Sequence, residues 1–89
     1  MAKYGYGSNY GKIKRLYPTT GRVYFSLKDG KTEMNPNKGY YFIPSAHNNY
    51  NVLVSALYMA AENRYTLYAR TKEDLVGGYA EVLYLVIDW

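Results

Sequence analysis

Residues 11–27, Gly-Lys-Ile-Lys-Arg-Leu-Tyr-Pro-Thr-Thr-Gly-Arg-Val-Tyr-Phe-Ser-Leu, decide the fold. Across residues 22–27 the apolar Val23, Phe25 and Leu27 alternate with Arg22, Tyr24 and Ser26. An extended chain points successive side chains to opposite faces, so this run predicts a half-buried strand. Residues 12–17 are strand-prone with imperfect alternation. Between the two runs, Pro18-Thr19-Thr20-Gly21 predicts a turn, because proline fixes φ and glycine accepts a positive φ. The pair reads as a β-hairpin.

Working outward, residues 1–11 carry Gly5, Gly7 and Gly11 among tyrosines and Asn9, and read as a flexible or loosely docked arm ahead of a single domain over residues 12–89. Residues 28–39 read as a long polar loop, a kind of connection that often carries function. Tyr40-Tyr41-Phe42-Ile43 is the third strand, stopped by Pro44. Residues 49–63 form the one helical pattern. Leu53, Leu57, Ala60 and Ala61 recur at helical spacing, with Val52 and Ala56 beside them. Asn48 or Asn49 is the expected N-cap and Asn63 the expected left-handed C-cap. Residues 65–70 place Leu67 and Ala69 on one face and Thr66, Tyr68 and Arg70 on the other. Residues 72–78 are a loop ending in Gly77-Gly78. In residues 79–89, Leu83, Leu85 and Ile87 are expected on one face and Val82, Tyr84 and Val86 on the other, both largely buried. The order strand, strand, strand, helix, strand, strand predicts a mainly β domain. Its expected architecture is a five-stranded OB-like barrel with one α-helix between strands three and four. Closure removes exposed strand edges.

Thirteen of the 89 residues are tyrosine, one is histidine and none is cysteine. Tyrosine joins a flat apolar ring to a hydrogen-bonding tip, which suits stacking on sugars, bases or another protein. The same composition is poor for catalysis. No serine sits in a nucleophile motif, and Glu73 and Asp74 would point apart in an extended segment. Glu81 and Asp88 would lie on opposite faces of a regular last strand. Asp29, Glu33, Asn35 and Asn37 lack calcium-loop spacing. His47 reads as a solvated loop or helix-start residue. The expectation is a protein that binds and does not turn over, with no metal and no cofactor.

Charge is uneven. Residues 1–45 hold eight cations against two acids, net +6, and residues 46–89 hold three against five, net −2. A basic half can meet a polyanion or simply form a solvated strand face. No stretch is long and apolar enough to span a bilayer as a helix, so membrane insertion is not expected. Residues 1–7 lack the apolar core of a secretory signal. The chain is expected either to stay in the cytoplasm or to begin after a removed signal.

Candidate ligand-binding residues follow from strand parity: Arg22, Tyr24 and Ser26 on strand two, and Thr66, Tyr68 and Arg70 on strand four, with Lys12 and Lys14 as a basic face on strand one. Rings beside guanidinium groups suit a glycan, by packing on sugar faces and bonding hydroxyls or an acid group. They also suit single-stranded nucleic acid, through stacking in a basic groove. A third reading is a structural protein whose tyrosines form subunit interfaces.

The hairpin of residues 11–27, the strand of residues 40–43, the helix of residues 50–63, the strand of residues 64–70 and the closing residues 79–89 (Tyr-Ala-Glu-Val-Leu-Tyr-Leu-Val-Ile-Asp-Trp) together resemble a known family. The chain is similar to the OB-fold B subunits of bacterial AB5 toxins of the subtilase-cytotoxin and pertussis type, and its end looks like that of small secreted proteobacterial proteins. The resemblance implies a non-catalytic, glycan-binding subunit. It also implies a homo-oligomer, typically a pentameric ring with the helices lining its centre, in a secreted or periplasmic setting.

Overall fold

The computed structural model describes residues 9–31, 39–72 and 74–89. Five strands and one helix follow in the order β1 (Tyr10–Thr19), β2 (Arg22–Lys31), β3 (Tyr41–Pro44), α1 (Tyr50–Asn63), β4 (Thr66–Thr71) and β5 (Ala80–Asp88). The strands form one sheet that closes in a ring, β1-β2-β3-β5-β4. All neighbours are antiparallel except β3 and β5. The mainly β reading with one helix between the third and fourth strands therefore holds.

The inward residues obey the period-two pattern. Val23 and Phe25 of β2, Tyr41 and Ile43 of β3, Leu67 and Ala69 of β4, and Ala80 and Val82 of β5 are buried in one core. Leu53, Leu57 and Ala60 of α1 join it, at the helical spacing read from the sequence. Val52 does not: it is 65% exposed, one residue off the buried stripe.

Several boundaries differ from expectation. The hairpin is longer on both arms. Pro18 pairs with Val23 and Thr19 with Arg22, which leaves only Thr20 and Gly21 in the turn. Proline is tolerated there because β1 beyond Gly11 has a strand partner on one side only among the described residues, so its missing N–H breaks no second ladder. Tyr10 and Gly11 belong to β1 rather than to an arm; the rest of the expected arm, residues 1–8, lies outside the described residues. Residues 28–31 extend β2, and the remainder of the expected polar loop, residues 32–38, also lies outside them.

Three register shifts explain the failures of parity. In the β1–β2 pair, Asp29 and Gly30 together oppose Gly11, and Lys14 is an extra residue between Ile13 and Arg15. A bulge of this kind re-aims every side chain beyond it. In the β4–β5 pair, Arg70 faces Tyr84 while Thr71 faces Val82, so Leu83 is the extra residue. Ala80 and Val82 therefore point inward before the bulge, and Leu85 and Ile87 pack on the core after it. Leu83 does not share their face; it is exposed, as are Tyr84 and Val86. The expectation that β5 is buried on both sides is corrected accordingly. The same shift puts Glu81 and Asp88 on one face, not two.

Asn49 is the N-cap of α1, but its side chain makes no capping bond. His47 anchors the N-cap residue itself. The Asn49 N–H donates to His47 Nδ1 at 3.0 Å, and the opposite nitrogen, Nε2, lies 2.9 Å from the Leu83 carbonyl oxygen. With Nδ1 accepting, Nε2 is the protonated nitrogen and donates to that carbonyl. The ring ties the start of the helix to the β5 bulge. It is a helix-start residue, one of the two readings from sequence, and acts as a connector. At the other end Arg64, not Asn63, adopts the left-handed conformation, with φ 59° and ψ 37°. The Asn63 side chain instead donates to Met59 O at 2.9 Å. Replacing His47 with alanine is expected to cost about 1–2 kcal/mol, the usual net loss for two hydrogen bonds. It should also speed amide exchange in the first turn of α1, with glutamine restoring part of the loss. Denaturant unfolding with hydrogen exchange measures both.

Candidate functional site

Strand register builds the site. Tyr17 of β1 lies opposite Tyr24 of β2, Tyr24 opposite Phe42 of β3, and Phe42 opposite Glu81 of β5. These four side chains form one row across the outer face of four strands, because their sequence neighbours Val23, Phe25, Tyr41 and Ile43 are committed to the core.

Phe42 is only 1% exposed although it faces away from that core. Its cover is a second aromatic layer. The Arg22 guanidinium sits 4.2 Å above its ring centre, and the Tyr24 and Tyr79 rings lie 6.1 Å and 6.3 Å from it. Tyr24 and Tyr79 approach to 4.9 Å, while Tyr40 stands 6.3 Å from Tyr24 and 6.4 Å from Tyr17. All of these pairs are tilted or edge-on, the arrangement ring quadrupoles favour. Cation–π attraction is worth about 0.5–2 kcal/mol, more as the cation is desolvated, and so fixes Arg22 over Phe42.

The ends of the strands place the two rings that flank β3. Ala80 N donates to Tyr40 O at 3.2 Å, and Tyr79 closes a turn in which Val76 and Tyr79 exchange backbone bonds of 2.8 Å and 3.0 Å. Gly77 and Gly78 fill that turn with φ of 60° and 90°. Positive φ at both central positions is the two-residue hairpin geometry that glycine permits. On the other flank Arg15 Nη1 donates to Tyr40 Oη at 3.2 Å. The acid of the row is neutralised: Glu81 pairs with Lys72 at 3.1 Å.

The result is a stack of five rings with guanidinium groups at two sides. Only Tyr17 is more than half exposed, at 54%. Such an assembly can offer a flat apolar face, phenolic hydroxyls and cationic donors. Among the described residues no cluster of three histidine, cysteine or carboxylate side chains could hold a metal ion.

The candidate residues read from parity divide into two patches. Arg22 and Tyr24 belong to the stack, and Ser26 faces Arg15 across β1. Tyr68 packs instead on Tyr10, 5.4 Å away, with Arg70 opposite Tyr84 and Thr66 opposite Asp88. Tyr10 and Tyr17 lie seven residues apart on β1, a span of at most ~23 Å at ~3.3 Å per residue. A single face joining Arg22, Tyr24 and Ser26 to Thr66, Tyr68 and Arg70 is thus not what the ring provides. The extra residue at Lys14 likewise breaks the alternation that joined it to Lys12, whose Nζ donates to Arg64 O at 3.2 Å. Sequence reading missed Arg15, Tyr17, Tyr40, Phe42 and Tyr79. The usable signal was the run of three aromatics at 40–42, whose alternation sends Tyr40 and Phe42 to the face that carries Tyr24.

No known protein family, curated protein or solved structure is found to match this chain.

Proposed function

We propose that this chain is a non-catalytic glycan-binding module on an OB-type closed sheet. The strand order and the helix between β3 and β4 support the architecture. OB barrels carry ligands on the face of their second and third strands, which is where Tyr24 and Phe42 lie. The observation that carries the reading is one well-exposed ring, Tyr17, backed by a pile of packed rings. A pyranose needs a single flat platform with hydroxyl partners at its rim. Tyr40 Oη and the Arg15 guanidinium stand there. A run of bases would use several open ring faces along a groove.

Single-stranded nucleic acid is the alternative, favoured by the cations at Arg15 and Arg22 and by the +6 charge of residues 1–45. A glycan array followed by calorimetry, beside titration of a labelled oligonucleotide, separates the two. Sugar-selective binding that survives added salt supports the glycan. Micromolar oligonucleotide binding that falls steeply with salt overturns it. Tyr17→Ala is expected to weaken glycan affinity about 5- to 30-fold, the equivalent of about 1–2 kcal/mol of stacking. Because that ring is mostly exposed, unfolding should shift by less than about 1 kcal/mol.

A further inference from the structure

Resting on the glycan reading above, we infer that the glycan is an acidic polysaccharide, a chain with a carboxylate on successive sugars. It runs from the Tyr17 ring along the outer face of the β1–β2 hairpin. Register sets the path. Ile13 and Leu27 pack on the core, so their neighbours Lys12 and Lys28 stand on the outer face, directly opposite one another. Leu16 and Phe25 also belong to the core side, so Arg15 with Ser26 and Tyr17 with Tyr24 are the next two outward pairs. Lys14, the extra residue of the bulge, is exposed between Lys12 and Arg15. From Tyr17 to Lys12 the band measures at most ~16 Å, at ~3.3 Å per residue.

The band is unbalanced in charge. Like charges directly opposite across a strand pair are destabilising, yet Lys12 faces Lys28. Among the described residues Lys12, Lys14, Arg15 and Lys28 make no ion pair; the ion pair there joins Lys72 to Glu81. Asp29, the acid next in sequence, sits in the bulge beyond Lys28 with a left-handed φ of 57°. Lys12 donates one bond to Arg64 O and Arg15 one to Tyr40 Oη. An ammonium has three donors and a guanidinium five, so both keep donors for a ligand. A row of cations without acids is completed by anions on its partner. A single terminal acid would engage only the guanidinium beside the platform, whereas a repeated acid engages the whole row. Nucleic acid also repeats its charge, but its bases stack on successive rings. From Arg15 to Lys12 the outward pairs are Arg15 with Ser26 and Lys12 with Lys28, none of them aromatic.

Calorimetric titration with oligogalacturonate and alginate fragments, each beside its methyl ester, is the test, because esterification removes the charge and keeps the sugar. The esters should bind at the Tyr17 platform and hold their affinity in salt. The acid forms should bind about ten-fold tighter at low ionic strength, the sum of about three exposed ion pairs, and fall to the affinity of the esters as salt rises. Lys28→Glu should remove most of that difference and leave the esters unaffected. Its urea midpoint should hold or rise, since an opposite charge then faces Lys12. Should that variant fold poorly, Lys28→Gln should still narrow the gap between acid and ester. Equal affinity for acid and ester overturns the inference and leaves the glycan reading standing. So does binding of neither form while other sugars on the array bind. If no sugar binds at all, the glycan reading falls and the inference with it. Tighter binding of a labelled oligodeoxythymidylate than of the acid fragments overturns it in favour of nucleic acid.

Discussion

Phe42→Ala is expected to lower the unfolding free energy by about 3–5 kcal/mol and, on the proposed function, to abolish the glycan binding assigned to the Tyr17 platform. The side chain is nearly inaccessible yet lies outside the main core, under Arg22, Tyr24 and Tyr79. Removing it takes away the floor of the second layer. It also takes the nearer ring from a partly desolvated guanidinium, leaving Arg22 with its 3.5 Å bond to Tyr24 Oη. A domain of 89 residues has about 4–13 kcal/mol of stability in all, so the variant should stand near its unfolding threshold. Phe42→Leu separates the two contributions. It fills most of the volume at a cost below about 1.5 kcal/mol, but it cannot attract Arg22 through a π face. The leucine variant should therefore fold well and still bind more weakly than wild type. Urea denaturation with calorimetric titration reads both. A loss under about 1 kcal/mol for the alanine variant would mean that the outer layer is loosely held and cannot preorganise a platform.

The fold was legible because its signals are local. The alternation at residues 22–27 and 65–70 and the helical spacing of Leu53, Leu57 and Ala60 each follow from backbone geometry alone, and all of them match the core. The site was legible only in part. Arg22 and Tyr24 were reachable by parity within one strand. Tyr17, Tyr40 and Tyr79 join them through register between strands and through turns, which no single segment specifies. The failures cluster at bulges. An extra residue leaves no periodic trace in the sequence, yet it inverts the parity of all that follows. Leu83 is the plain case: apolar, in phase with Leu85 and Ile87, and nonetheless outside. His47 escaped for a different reason. Its two partners, Asn49 and Leu83, lie two and 36 residues away, and the second is brought near only by closure of the ring.

Closure depends on two facing glycines, and Gly30→Ala is the substitution expected to undo it. A methyl group built at Gly30 would fall on the Tyr10 carbonyl oxygen and within 2.7 Å of the Gly11 Cα. A methyl at Gly11 would come within 2.5 Å of the Lys28 carbonyl oxygen. These neighbours are main-chain atoms, so no side chain can swing away, and the strands must part. They cannot part at this point without cost. The bulge at Asp29 and Gly30 holds the segment of β1 that also pairs with β4, through Tyr10 with Tyr68 and Gly11 with Leu67. Beside it, Ala69 N donates to Asn9 O at 2.8 Å. Lifting Tyr10 away from β2 therefore strains the seam between β1 and β4. Overpacking a tight site costs about 1–3 kcal/mol, and the lost seam hydrogen bonds add about 1 kcal/mol each. The expected total exceeds about 3 kcal/mol. Gly39→Ala is the comparison, because that residue has a φ of 80° but nothing near its would-be methyl. Backbone strain alone should cost it about 1–2 kcal/mol. Hydrogen exchange locates the damage. In the Gly30 variant the amide of Ala69 should lose protection ahead of those in α1. Equal loss in both places would mean that the seam between β1 and β4 does not open separately, and that the two glycines serve global packing instead.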